Sequence, residues 1–180
     1  MNRIIVIGCP GSGKTTLSKL LAEKLSVPLI HLDKIQWQGN WECIRGEEFD
    51  NILSEEMKKP QWIIDGNYNR TIPMRLKQCD TVIYLDYPTY VCFFSALKRV
   101  IKNYGKVRDD MGGNCRERFD PTFFWFILTF NRKNRKKYRT LLSNSAGKNI
   151  IILKSRKEAD SFLNNFKGTK KLRQTPKSLP

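Results

Sequence analysis

The segment Gly8-Cys9-Pro10-Gly11-Ser12-Gly13-Lys14-Thr15-Thr16 combines three glycines, a primary amine and adjacent hydroxyls in one short stretch. Its first eight residues match the spacing G-x-x-x-x-G-K-[ST] without a mismatch. That chemistry suits a triphosphate. The glycines let the backbone curl so that successive N–H groups point inward at phosphate oxygens. A helix starting at Lys14 adds its positive end. The Lys14 amine is expected to reach the outer phosphates, and the Thr15 hydroxyl is a candidate ligand for magnesium, which prefers oxygen. Residues 8–16 as a whole are expected to bind the nucleotide. A chance glycine-rich turn would give no reason for Lys-Thr at a helix start.

Flanking elements must hold this loop. The apolar run Ile4-Ile5-Val6-Ile7 precedes it and reads as a buried strand, predicted over 3–8. Leu17, Leu20, Leu21 and Leu25 follow at helical spacing, predicting a helix over 14–25. Further strands are predicted at 29–32, 62–64, 81–85 and 149–153. Helices are predicted at 47–59, 89–103, about 121–143 and 156–166, with 34–46 a loop and Asp120-Pro121 a helix start. Residues 104–119 are polar and glycine-bearing. Strands alternating with helices predict an α/β fold: three layers around a five-stranded parallel sheet, with residues 1–166 as one domain. Ligands of such sheets bind beyond the carboxyl ends of the strands. Gly8, Asp33, Asp65 and Asp86 are all predicted at such ends.

Composition narrows the class. The chain has 180 residues, 40% of them hydrophobic, and no run approaching the ~20 apolar residues of a membrane span. Met1-Asn2-Arg3 leads straight into the first strand, so no secretory leader is expected. Five cysteines without a C-x-x-C pair suggest neither a disulfide framework nor a zinc site, and a cytoplasmic location is expected. Cys9 reads as a small loop residue, with oxidation as the alternative. The formal charge is +16. It comes from the run 132–139 and from residues 167–180, a basic segment expected to be a flexible tail. Such charge can attract phosphorylated substrates, nucleic acid or anionic lipid, and does not choose among them.

With these elements placed, the chain resembles the adenylate-kinase-like P-loop kinases. Asp65-Gly66-Asn67-Tyr68-Asn69-Arg70-Thr71 is similar to the Asp-Gly-Phe-Pro-Arg-Thr segment of adenylate kinases, with one residue more and no proline. A closer resemblance, covering almost the whole chain up to residue 166, is to the FlaR-related DNA topology modulation proteins. It rests on His31-Leu32-Asp33 with Trp37, Trp62-Ile63-Ile64-Asp65-Gly66-Asn67-Tyr68, Leu97-Lys98-Arg99, Asp110-Met111-Gly112 and Ile152-Leu153-Lys154-Ser155. That family name records a genetic association rather than a chemistry.

The resemblance implies an ATP- and Mg2+-dependent kinase. Asp65 would support the metal, and Arg70 with Arg75 would grip an anionic acceptor. Residues 104–119 would close as a lid flanked by Arg99, Arg132 and Arg135, which would serve the transferred phosphate; the alternative for these arginines is a solvated basic face. Asp33 would hold a metal-bound water or the acceptor, or cap a turn. Trp37 and Trp41 would stack on the acceptor or wedge their loop onto the core. Lys154-Ser155-Arg156 would bracket the adenine. His31 reads as structural, and Asp86 as organising a helix start. The acceptor is expected to be a nucleotide, a nucleoside or another small molecule, and the protein a monomer or dimer. Two rivals remain: a nucleic-acid binder switched by ATP, using the basic tail, and a slow ATPase.

Overall fold

The computed structural model describes residues 1–166; the basic tail expected over 167–180 lies outside the described residues. Five strands form one parallel sheet: β1 (Arg3–Gly8), β2 (Leu29–His31), β3 (Trp62–Asp65), β4 (Thr81–Leu85) and β5 (Asn149–Leu153). Their order is β2-β3-β1-β4-β5. β1 lies in the middle, pairing with β3 on one side, Val6 opposite Asp65, and with β4 on the other, Gly8 opposite Leu85. The chain crosses from one side of β1 to the other between β3 and β4. A crevice therefore opens at the carboxyl ends of the central strands.

The inner strands are apolar on both faces because helices cover both. Ile4 to Ile7, Trp62 to Ile64 and Val82 to Leu85 are all buried. α1 (Lys14–Leu25) packs on β1, β2 and β3 through Leu17 and Leu21, and also meets α7 (Arg156–Asn165). α5 (Thr89–Asn103) and α6 (Pro121–Ser143) pack against each other. Thr89 meets Asn131 while Phe93 meets Phe124, so the two helices run antiparallel. Asp120 caps α6 by accepting from the N–H groups of Thr122 (2.8 Å) and Phe123 (3.4 Å), as the Asp-Pro pair predicts. No described helix is long and apolar enough to cross a membrane.

Two segments differ from expectation. The stretch predicted as a loop at 34–46 carries α2 (Leu32–Gln36) and a 3-10 turn at Gly39–Trp41, and α3 (Gly46–Met57) begins inside it. α2 is five residues long, too short for helical periodicity to reveal. Between Asp65 and β4 lies α4 (Ile72–Gln78), also absent from the expectation. Its signal is Pro73 in the first turn, with Ile72 before it and Leu76 one turn on, both buried along with Arg75.

Candidate functional site

The loop after β1 turns sharply into α1. Gly11 has φ +83°, and a Cβ there would collide with the Cys92 carbonyl on α5, so only glycine lets the loop lie this close to that helix. The Lys14 amine donates to the carbonyls of Gly8 (3.0 Å) and Cys9 (3.2 Å), which draws it over the loop. The Cys9 thiol is buried. Hydrogen bonding with Cys92 and burial both push its pKa far up, which leaves it a neutral, small loop residue.

β3 delivers the second wall. Thr15 Oγ1 donates to Asp65 Oδ2 at 2.9 Å, and His31 Nδ1 lies 3.2 Å from the same oxygen. His31 thus does more than fill a strand: it meets the carboxylate that faces Thr15. The other Asp65 oxygen, Oδ1, is buried and has no partner. Buried carboxylate oxygens rarely remain unpaired, and one without a partner among the described residues is suited to accept from a metal-bound water. A hydroxyl and a carboxylate are the donors magnesium takes beside nucleotide phosphates. Among the described residues no cluster of three or more His, Cys, Asp or Glu could hold a metal alone. The donor set therefore fits an ion shared with phosphate.

The turn after Asp65 is braced from two sides. Asn67 accepts from the Gly8 N–H (3.0 Å) and donates to the Gly8 carbonyl (2.8 Å), tying the phosphate loop to β3. Arg75, fully buried on α4, donates to the carbonyls of Gly66 (2.9 Å), Asn67 and Tyr68 (3.3 Å). Burial pulls its pKa down to about 10, so it keeps its charge at neutral pH. Arg75 was expected to bind the acceptor. Its guanidinium is instead engaged beneath the turn, where it supplies donors to the Gly66 and Asn67 carbonyls and shares the Tyr68 carbonyl with Thr71. Arg70 departs from expectation as well. It pairs with Asp50, donates to the Gly46 carbonyl and lies over the Phe49 ring, outside the cavity.

One cavity of about 870 Å³ joins these parts. The phosphate loop, Asp65 and Asn67 line one end. Asp33, Trp37, Trp41, Tyr68 and Met111 contribute to the wall, as do Arg99 and Ser95 of α5, Phe123, Phe126 and Phe130 of α6, and Arg156 of α7. Tyr68 donates to Asp33 Oδ1 at 2.7 Å. Burial pushes the Asp33 carboxyl above the usual carboxylate range, only partly countered by that bond. Trp37 and Trp41 pack edge to face with centroids 5.4 Å apart.

Residues 104–120 fold back over this wall. Asp109 meets Lys19 at 2.5 Å, the Cys115 thiol donates to the Gln38 carbonyl, and the Trp41 indole donates to the Arg116 carbonyl. Gly112 lies so close to the Trp37 and Lys34 carbonyls that a Cβ would collide with them. Inside the segment, buried Glu117 takes Arg99 (3.2 Å) on one oxygen and Arg108 (3.1 Å) on the other. Arg108 also grips Asp110. Burial raises the Asp110 carboxyl, but the Arg108 guanidinium outweighs it and holds it below the usual range. Arg118 lines the cavity and lies over the Trp41 ring at 5.3 Å. Sequence reasoning named none of Arg108, Asp110, Glu117 or Arg118 as site residues. Their signals were the charges of a glycine-bearing stretch between helices, expected as a lid, and the Asp110-Met111-Gly112 segment of the family resemblance.

Arg99 lines the cavity. Arg132 and Arg135 do not line it. Arg132 is exposed on α6, while Arg135 and Arg139 both bind Asp86 at 2.7 Å. Asp86 therefore anchors α6 to the end of β4 rather than starting a helix. Two arginines one turn apart on α6 converge on its buried carboxylate.

No protein-family model matches the chain. Over 80 residues it is 35% identical to the "Putative adenylate kinase" of Pyrococcus abyssi (strain GE5 / Orsay), a match covering 41% of this chain and 44% of that protein. The chain thus spans under half the length of the curated relative it matches. Solved structures share the fold. Shikimate kinase from Bacteroides thetaiotaomicron superposes with a TM-score of 0.55 at 20% identity, covering 91% of this chain and 94% of that one. Shikimate kinase from Acinetobacter baumannii, solved with shikimate, gives 0.58 at 18%, covering 91% and 89%. The fold is that of these P-loop kinases: an α/β domain with a five-stranded parallel sheet.

Proposed function

We propose that the protein is an ATP- and Mg2+-dependent phosphotransferase acting on a small acceptor, within the nucleotide, nucleoside or similar small-molecule class. One observation carries this reading. Lys14, the Thr15–Asp65 pair and an open Asp33 carboxylate share a single cavity with aromatic walls. A nucleotide-triggered switch needs the first two but not a carboxylate on the far wall.

Phosphoryl transfer is chiefly positioning and charge stabilisation. The inward N–H groups of residues 8–16 would cradle the triphosphate. Lys14 would exchange its two carbonyl partners for phosphate oxygens, and those carbonyls keep the amine near where it acts. Thr15 and Asp65 would hold the magnesium ion, which when bound screens the phosphate charge. Asn67 and Arg75 keep Asp65 at its distance from the loop by fixing the turn between them. Arg99 would serve the transferred phosphate from α5, and Arg156 would border the nucleotide base. Residues 104–119 would act as the lid, excluding water from the site.

The test is ATP consumption with magnesium across a panel of nucleotides, nucleosides and small acids, with identification of the product and Lys14→Ala as control. Stimulation by an acceptor that gains a phosphoryl group, lost in Lys14→Ala, is expected. Release of inorganic phosphate alone would favour the slow ATPase.

A further inference from the structure

Charge in this molecule is distributed unevenly. The chain holds 33 lysines and arginines against 17 acids. The cavity does not share that excess: five cations and five carboxylates line it. Two of the cations, Arg99 and Arg108, are already paired with Glu117 and Asp110. Lys14, Arg118 and Arg156 line it with no ion pair among the described residues, and a bound ATP would draw on all three, Lys14 and Arg118 at the phosphates and Arg156 at the base. A phosphorylated acceptor would add about two further negative charges at neutral pH. In an enclosed site such charge demands cations of its own. The two arginines best placed in sequence to supply them are committed elsewhere. Arg75 is beneath the turn, and Arg70 is on the outside against Asp50.

What faces the far wall instead is a carboxylate and indoles. Asp33 uses Oδ1 to accept from Tyr68, and Oδ2 has no hydrogen bond among the described residues. Half-buried Trp37 lies four residues on, at the end of α2, on the same cavity wall. A carboxylate repels an anion and accepts from a hydroxyl, and an indole offers a surface to a flat ring. We propose that the acceptor is an uncharged, hydroxyl-bearing molecule with a flat ring, of the nucleoside class, seated on Asp33 and Trp37. This rests on the phosphotransferase reading above. The acceptor hydroxyl oxygen bonds to the γ-phosphorus of ATP, and its proton passes to Asp33 Oδ2. The bond from that phosphorus to the β,γ-bridging oxygen breaks, and its electron pair leaves with ADP.

The test uses the full chain, γ-labelled ATP and magnesium. Acceptors are uncharged nucleosides, the matching nucleoside monophosphates, and shikimate as a carboxylated ring. The kcat/KM for one nucleoside is expected to exceed that of its monophosphate by about tenfold or more. Asp33→Asn should lower kcat about 100-fold with the KM for ATP unchanged, and Arg70→Ala should leave kcat/KM within about twofold. Circular dichroism of both variants separates misfolding from lost chemistry, and Asp33→Glu gives a second variant that keeps the carboxylate. A monophosphate or shikimate preferred tenfold, or a KM for the acceptor that rises in Arg70→Ala, overturns the proposal while the phosphotransferase reading stands. If ATP binds and no acceptor of any class gains a phosphoryl group, both fall together.

Discussion

The two ends of the cavity are built by different means. At the phosphate end most contacts are anchored on backbone groups. Asn67 pairs with both polar groups of Gly8, Arg75 ties three consecutive carbonyls, and Thr15 at the start of α1 meets Asp65 at the end of β3. At the far end, residues 104–120 and 33–41 are joined by side chains. Glu117 bridges two arginines, Cys115 reaches the Gln38 carbonyl, and Trp41 lies under Arg118. The first end is fixed by secondary structure, as charge stabilisation requires. The second is held by a few polar contacts that can be broken and remade, as the proposed lid would require. Perturbing each end should therefore give a different signature.

The largest effect is expected at the phosphate end. Lys14→Ala removes a preplaced cation from the transferred phosphate. It should cost roughly 10²–10³-fold in kcat, with the fold retained, checked by steady-state kinetics beside a thermal melt. Arg75→Met should act on stability instead. It leaves the Gly66 and Asn67 carbonyls without their donor, while the Tyr68 carbonyl keeps Thr71, a loss of about 2–3 kcal/mol in urea unfolding. Activity should fall with it, because the turn carries both Asn67 and Asp65. If Arg75→Met left stability intact and only raised the acceptor KM, the guanidinium would be a substrate ligand after all.

The same contrast explains what could be read from the sequence. The phosphate end is local in the chain: strand, glycine loop and helix follow one another, and β3 ends in the aspartate that faces them. Periodicity and spacing carry such information. The five strands, the α6 cap at Asp120 and the parallel sheet were legible for the same reason. The far end is not local. That Arg99 on α5 would meet Glu117 eighteen residues on, or that Gly112 would press on Trp37, depends on a path no pattern encodes. Arg75 misled because an arginine near a binding motif looks alike whether its guanidinium faces a ligand or the underside of a turn. Only the burial of α4 distinguishes the two.

At the far end the expected effects are smaller and kinetic. Glu117→Gln strips the carboxylate shared by Arg99 and Arg108. It should cost roughly 1–2 kcal/mol, less than a fully buried pair because both arginines retain some contact with water. The sharper readout is the KM for ATP, expected to rise several-fold as residues 104–120 loosen. An unchanged KM with an equal loss of stability would make Glu117 merely structural.

Acid should loosen the same end by a smaller step. The Asp110 carboxyl is depressed in the folded state because the Arg108 guanidinium outweighs the effect of its burial. A depressed carboxyl contributes stability above its unfolded pKa, and loses it as pH falls through the lower folded value. The contribution of Asp110 is thus full at neutral pH and wanes below about pH 4. Trp41 reports on this segment, since its indole donates to the Arg116 carbonyl. Its fluorescence, isolated by replacing Trp37, Trp62 and Trp125 with phenylalanine, should shift in that acid range. In Asp110→Asn the shift should shrink, because the group that titrates is gone. A transition equally large in Asp110→Asn would assign it to another carboxylate. Asp80 is the next candidate, since hydrogen bonds from Thr81 and from the N–H groups of Asn2 and Arg3 overcome its burial and hold it low at the opposite end of the sheet. Asp109, beside Lys19, and Asp120, capping α6, are also held low within the 104–120 segment, so only an assignment to Asp80 would move the acid-sensitive step to the sheet and cost the far end its claim to be the looser of the two.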